Sequence, residues 1–351
     1  MDRVLRSDIQ GISAPPNVRA QLSDKPSMLQ ERAFHSTVDR FIEEELKLYP
    51  ERATALGDHR FDARLDDDSA AGITRIVSHA HHWARIFRAF HHNSLSPNSD
   101  ADCEWLLANI GGELLRTETM RSYERDPGMY IPTRAVNELI KRNFAPAEVR
   151  MRSVTAREKA AVANLQAARA NLRAERVPQV AIDIVLQQMP ATLRFFKTSL
   201  PQAFDKVPDG PDKRAFRQAN SQMISSIDGY ETWFRTMLRP RARGAYAIGA
   251  DAFRRMIYDE DMVDTPLNKL EQVGEIELRR LQNQFAATAR LVDPEHSAAE
   301  VANAPGRDHP AANQVISSVN AGLGSIRAYV VRHQLVRIPS MVKPIVAETP
   351  P

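Results

Sequence analysis

The sequence has a single cysteine, Cys103, so no disulfide can form within the chain, and a reducing compartment fits. No stretch approaches the roughly 18 apolar residues that cross a bilayer, and Met1 to Gln21 has no apolar core of a secretory signal. The chain is therefore expected in the cytoplasm, with no membrane partner. Lysine is scarce: nine of the forty-seven basic residues are Lys and the rest Arg. Basic and acidic residues are interleaved to a net charge of only +3, so the pI near 9.0 does not mark a nucleic-acid surface. There is no phosphate-binding glycine loop, no Gly-x-Ser-x-Gly elbow and no repeat of fixed period.

What remains is helix. At 351 residues and 43% hydrophobic content the chain can bury a substantial core, and its apolar residues recur at three- and four-residue spacing rather than alternating. The expected fold is all-α, an irregular multi-helical body. Residues 1–29 read as a loosely ordered arm, 30–335 as the helical domain, and 336–351 as an unpaired extended segment. Helices are predicted over Gln30–Leu48, Ala70–His92 with Ser69 as its cap, Asp100–Ser122, and Thr133–Phe144. A further helix is predicted to start at the Thr155-Ala-Arg-Glu158 capping box and end near Arg176. Helices from Gln179 onward are expected to be separated by Pro190, Pro201, Pro208 and Pro211, the last of them reaching Leu238. Others start near Thr265 and at Asp308, the latter running to about Leu335.

Several constellations invite chemistry, and each has a plainer reading. His79, His81, His82, His91 and His92 share one predicted helix, but His81 and His82 lie about 100° apart and cannot converge on a metal. His79 and His82 form an i,i+3 pair with no carboxylate nearby in sequence, so a solvated face is preferred to a metal site. Cys103 has no local His to activate it as a nucleophile. Glu271 and Glu275 are an i,i+4 pair inside an ordinary charged face, and Asp259, Glu260, Asp261 and Asp264 lack the glycine of a calcium loop. Arg239, Arg241 and Arg243 beside Pro240 and Gly244 read as a solvated turn. No catalytic or metal residue is assigned from the residues themselves.

The segment from Tyr49 to Asp67, reading YPERATALGDHRFDARLDD, resembles the N-terminal signature of the bacterial domain of unknown function 885 family. Similar elements follow in order: Asp126-Pro127 with Tyr130, Gly249 to Phe253, Val263 to Leu267, Asp308 to Ala312, and Ile338 to Ser340 leading to Glu348 through Pro351. The resemblance implies a largely helical, carboxypeptidase-like zinc metallopeptidase acting on peptides, with a metal motif in which His-Glu is followed by Pro-Gly-His. None of the ten histidines here is followed by Glu, so no family metal or catalytic residue carries over, and this chain is expected to bind no cofactor. The expectation is the N-terminal helical part of such a peptidase, truncated before the metal site, with a missing C-terminal domain packing near Arg337 to Val346. The alternative is a non-catalytic helical protein that binds peptide or protein. Gly57, Asp58, His59 and Arg60, a Gly-Asp loop between helices, are the candidates for lining a substrate cleft, against the plainer reading that they shape a turn.

Overall fold

The computed structural model describes residues 28–91, 94–304, 309–340, 342–344 and 346. Among them the regular structure is helical and no strand is present, which bears out the all-α expectation. In order, the helices are α1 (Met28–Leu48), α2 (Pro50–Leu56), α3 (Ala70–Arg88), α4 (Pro97–Leu114), α5 (Ser122–Arg125), α6 (Thr133–Asn137), α7 (Ala147–Asn171) and α8 (Gln179–Arg194). They are followed by α9 (Leu200–Gln202), α10 (Pro211–Trp233), α11 (Ala250–Asp261), α12 (Leu267–Val292), α13 (Ala298–Asn303) and α14 (Val315–Arg332). The chain divides into two compact units, one holding residues up to Met189 with Leu200–Val263, the other Pro190–Ser199 with Asp264 onward.

In the first unit, α1, α3 and α4 share an aromatic core. Phe34 and Phe41 of α1 meet Trp83 and Phe87 of α3 edge to face at 5.4 to 6.3 Å, and Leu106, Ile110 and Leu114 of α4 complete the cluster. Each side chain so enclosed contributes roughly 1.5–3 kcal/mol. The Trp83 indole N–H donates to Glu44 at 2.9 Å, so the largest core residue carries no unmet donor. Ser69 caps α3 by accepting from the Gly72 N–H at 3.1 Å, as the sequence predicts. Gly72 is required there: a Cβ would lie 1.8 Å from the Asp67 carbonyl oxygen.

The remainder of this unit is organised by α7, which packs against α10 through Met151, Val154, Ala161 and Leu165 on one side and Phe216, Met223 and Ile227 on the other. A second face of α7 is polar, and it captures the loop that joins α2 to α3. Arg157, fully buried, donates to the carbonyls of Arg64 (2.9 Å), Ala135 (2.6 Å) and Pro50 (3.3 Å) and to the Thr54 hydroxyl (2.5 Å). Thr54 in turn donates to Asp62 at 2.7 Å. Seven residues on, Asn164 donates to the Asp66 carbonyl (2.8 Å) and the Asp68 carboxylate (3.0 Å). Seven further, Asn171 donates to the Asp68 carbonyl (2.8 Å) and the Tyr130 hydroxyl (3.2 Å). A heptad returns a helix to within about 20° of the same face, so these three side chains form one row of donors along α7.

Several predicted boundaries are corrected. The α7 helix begins at Ala147, not at Thr155: Thr155 lies inside it and donates to the Met151 carbonyl at 2.8 Å, so no capping box forms there. A capping box does form between Ser297 and Glu300, at the start of α13. The α6 helix stops at Asn137 instead of Phe144, because the buried Arg150 takes the carbonyls of Leu139 (3.3 Å) and Ala145 (3.0 Å) and the Asn143 amide oxygen (3.0 Å). Pro190 does not separate helices; it lies within α8, between turns anchored by the buried Met189 and Thr192. The α4 helix is capped by Ser96 ahead of Pro97 rather than by Asp100, and α3 ends at Arg88, with His92 outside the described residues. Asp308 also lies outside them, and α14 starts at Val315.

In the second unit, α12 and α14 leave most of their apolar residues exposed, among them Ile276, Leu281 and Phe285 of α12 and Ile326 and Tyr329 of α14. Val336 and Val342 are 67% and 80% exposed.

Two predictions arise from α7. Arg157→Ala strips hydrogen bonds from three carbonyls and one hydroxyl, and should destabilise the fold by about 3–5 kcal/mol in urea unfolding; Arg157→Lys, with a point charge in place of a planar fork, should lose roughly half of that. The adjacent Glu158 is fully buried, neither carboxylate oxygen has a partner, and burial pushes its pKa up to about 8. Well below pH 4.5 folded and unfolded chains both hold this proton. Between there and pH 8 only the unfolded chain releases it, so stability falls as the pH rises through that window. Glu158→Gln removes the linkage, and its stability relative to the unaltered protein should improve between pH 5 and pH 8 by on the order of 2 kcal/mol, read from urea melts at the two pH values.

Candidate functional site

Two grooves in the first unit bring side chains together. One, of about 600 Å³, is walled by α1, α2, α3 and α4. Its apolar sides are Phe34, Val38, Ile42, Ile76, Leu106 and Ile110, with Trp105 and Leu56 on it as well. Trp105 is expected from periodicity on the buried side of α4, yet it is 54% exposed. Within this apolar setting stands a polar cluster. Arg52 donates to Glu45 at 2.9 Å and lies over the Tyr49 ring at 5.4 Å; Arg116 pairs with Glu113 at 3.0 Å and with Glu260 at 3.7 Å. Burial pushes Glu45 up to about 7, with Arg52 opposing and Glu113 adding to the rise. Burial likewise raises Tyr49, helped by Glu113 and Glu45, and its hydroxyl has no hydrogen-bond partner.

The second groove, of about 840 Å³, is almost wholly apolar, with Ile184, Val185, Tyr246, Ile248, Phe253 and Met256 around it. Asp126 and Gly128 come to it from one side, and Gly249, Ala250 and Phe253 from the other. Arg125 holds the two sides in register by donating to the carbonyls of Ala245 (2.7 Å) and Tyr246 (3.0 Å). Asp126 turns the chain by accepting from the Gly128 N–H at 2.9 Å.

The residues singled out in the sequence are mostly occupied by structure. Gly57 ends α2 in the left-handed region at φ 91°, where a side chain would be strained. Asp58 accepts from the Arg60 backbone and side chain, and Arg60 also reaches Glu43 at 2.8 Å. His59 stacks on Phe144 with ring centroids 3.6 Å apart and contacts Asp62 at 3.0 Å. None of these four lines either groove, although Leu56 beside them does. His79 is not on a solvated face without carboxylates. Its ring lies between Glu44 (3.5 Å) and Glu45 (3.4 Å) of α1, its Nε2 is buried without a well-formed hydrogen bond, and burial lowers its pKa. His81 pairs with Glu118 at 3.0 Å. Cys103 is buried, its thiol pushed up to about 11 by burial and directed at the Phe87 carbonyl, which leaves no nucleophile.

The acidic stretch after Tyr258 sits at the end of α11. Asp259 is buried and paired with Arg255 at 3.2 Å. Glu275 pairs with Arg279 on an exposed helix face, and Arg239 pairs with Asp183 at 2.8 Å. Among the described residues no three His, Cys, Asp or Glu side chains are grouped so that they could hold a metal ion. The groove cluster of Glu45, Tyr49 and Glu113 escapes sequence reading because its members come from α1, α4 and the turn between α1 and α2. The only local signal is carboxylates at 45 and 113 within apolar-periodic stretches.

The fold defines an all-α, multi-helical protein. The chain belongs to the family described as bacterial proteins of unknown function, DUF885, whose model matches residues 50–351. Its fold resembles a solved structure titled "The structure of a putative lipoprotein of unknown function from Shewanella oneidensis", with a TM-score of 0.69 and 19% identity. That likeness covers 90% of this chain and 60% of the other, so the chain spans less than two thirds of its structural neighbour. No curated protein matches it. Among the described residues no helix is long and apolar enough to cross a membrane.

Proposed function

We propose that this chain is the substrate-holding helical part of a peptidase-like protein of the family, and that it binds an apolar stretch of peptide in the groove between Asp126–Gly128 and Gly249–Phe253. The observation that carries this reading is the meeting of two segments more than 120 residues apart, both of which resemble family elements, around one largely apolar groove of about 840 Å³. A cavity of this size takes several side chains of a peptide, and its few polar groups, Asp126 above all, are fixed by backbone hydrogen bonds.

Hydrolysis is assigned elsewhere. The zinc that the family resemblance implies needs converging His and carboxylate ligands, and the described residues of this chain offer no such group, so no catalytic step is routed through them. The exposed apolar sides of α12 and α14 suit the packing of the remaining part of a family-length polypeptide, where metal-assisted attack on the peptide bond would reside. The alternative is a peptide-binding protein with no hydrolytic partner, supported by the same groove.

With a fluorescein-labelled apolar hexapeptide, the full chain should show saturable binding by anisotropy that a chelator leaves unchanged. Phe253→Asp should weaken it at least tenfold. Chelator-sensitive cleavage by this chain alone, or unchanged binding by Phe253→Asp, would overturn the proposal. Cleavage that appears only when the C-terminal portion of a longer family member is added separates the peptidase reading from the binding-protein reading.

A further inference from the structure

The groove between α1, α3 and α4 has no part in the reading above, and its composition is selective. Its lining carries three carboxylates, Glu45, Asp102 and Glu113, against two arginines and two histidines, His35 and His79, the latter 3.4 Å from Glu45. Both arginines are already engaged: Arg52 with Glu45, and Arg116 divided between Glu113 and Glu260. Tyr49 lines the same groove, and its hydroxyl is buried without a partner. The site therefore has acceptors in surplus and no unpaired arginine to meet an anion. Around it the walls are apolar, with Ile42, Leu56 and Trp105 all about half exposed or more.

We propose that this groove binds an amphiphilic primary amine, with its apolar body along Phe34, Ile42 and Trp105 and its ammonium group against Glu45, Glu113 and the Tyr49 hydroxyl. An ammonium presents three donors and no acceptor, which matches two carboxylates and one phenolic oxygen. Charge-assisted hydrogen bonds of this kind are about twice as strong as neutral ones, and the apolar walls lower the local dielectric that would otherwise screen them. A cation also relieves the repulsion between Glu45 and Glu113, which adds to the rise that burial gives Glu45. A carboxylate ligand would add a negative charge beside Glu45 and Glu113, with only the Tyr49 hydroxyl and the His79 ring left to donate to it. The same chemistry is offered by a free alkylamine and by the N-terminus of an apolar peptide, and a volume of about 600 Å³ admits either.

Calorimetry on the full chain at pH 8 distinguishes them. Octylamine is compared with octanol and octanoate, and trileucine with N-acetyl-trileucine. The expected result is binding at least tenfold tighter for each ammonium compound than for its neutral or acidic counterpart. Binding of both ammonium compounds assigns the site to the amine head group in general; binding of trileucine alone assigns it to peptide N-termini. Glu113→Gln should reduce the preference about tenfold and Tyr49→Phe about threefold, while Phe253→Asp, in the other groove, should leave it intact. Octanoate binding as tightly as octylamine, or no heat from either ammonium compound at millimolar concentration, would overturn the proposal. Should Glu113→Gln fail to fold, the paired ligands on the unaltered chain still decide.

Discussion

A guanidinium removed entirely from solvent holds the first unit together. Desolvating a cation is expensive, and burial pulls the pKa of Arg157 down against the pull of Glu51, Asp62 and Asp66 around it. The charge is tolerated because nearly every donor finds a fixed acceptor. Three of those acceptors are backbone carbonyls: Pro50 at the start of α2, which also accepts from the Thr54 hydroxyl, Arg64 in the loop, and Ala135 in the short α6. An apolar residue at 157 would spare the desolvation but withdraw a donor from all three, so the loop and its arginine support each other.

The same arrangement gives the stretch from Tyr49 to Asp67 its meaning. Pro50, Thr54, Asp62, Arg64 and Asp66 all bond to α7 or to each other through it, and the candidate cleft residues at 57–60 close the turn between them. This family-like segment is a clasp for α7, whereas the segments at 126–128 and 249–253 open on a groove. A resemblance carried by a clasp transfers architecture. A resemblance carried by groove walls bears on what is bound.

Much of the fold was legible in the sequence because one-face periodicity and local caps are short-range signals. Phe34 and Phe41, or Ser69 ahead of Ala70, announce α1 and α3 without help from the rest of the chain. The failures share one cause. Thr155 and Glu158 have the spacing of a capping box but lie in mid-helix, because the helix had already begun after Pro146. The α6 helix stops early where Arg150, on the next helix, takes the carbonyls of Leu139 and Ala145 beyond its end. Trp105 leaves the core because α1 and α4 frame an open groove where periodicity alone predicts contact. Arg157, Asn164 and Asn171 did stand at heptad spacing in plain view, but a polar heptad on a charged helix has the same appearance as a solvated face. Only the loop that lies against it tells the two apart.

Charge placement completes the argument. Glu51, Asp66 and Asp68 lie close together under the clasp; burial pushes Asp66 and Asp68 up to about 7, with the neighbouring carboxylates adding to the rise, and Glu51 moves in the same direction. Here the acidity is answered from within: Arg157 faces Glu51 and Asp66, Asn164 donates to Asp68, and the Glu51 and Asp66 side chains accept from each other's backbone N–H. In the groove of α1, α3 and α4 Glu45 and Glu113 are partly buried, Arg116 is divided between Glu113 and Glu260, and the Tyr49 hydroxyl is left over. Two acidic clusters of similar composition thus differ in one respect, the completeness of their internal partners. A saturated cluster is a structural joint; an unsaturated one beside an open apolar cavity is where a ligand gains most by entering.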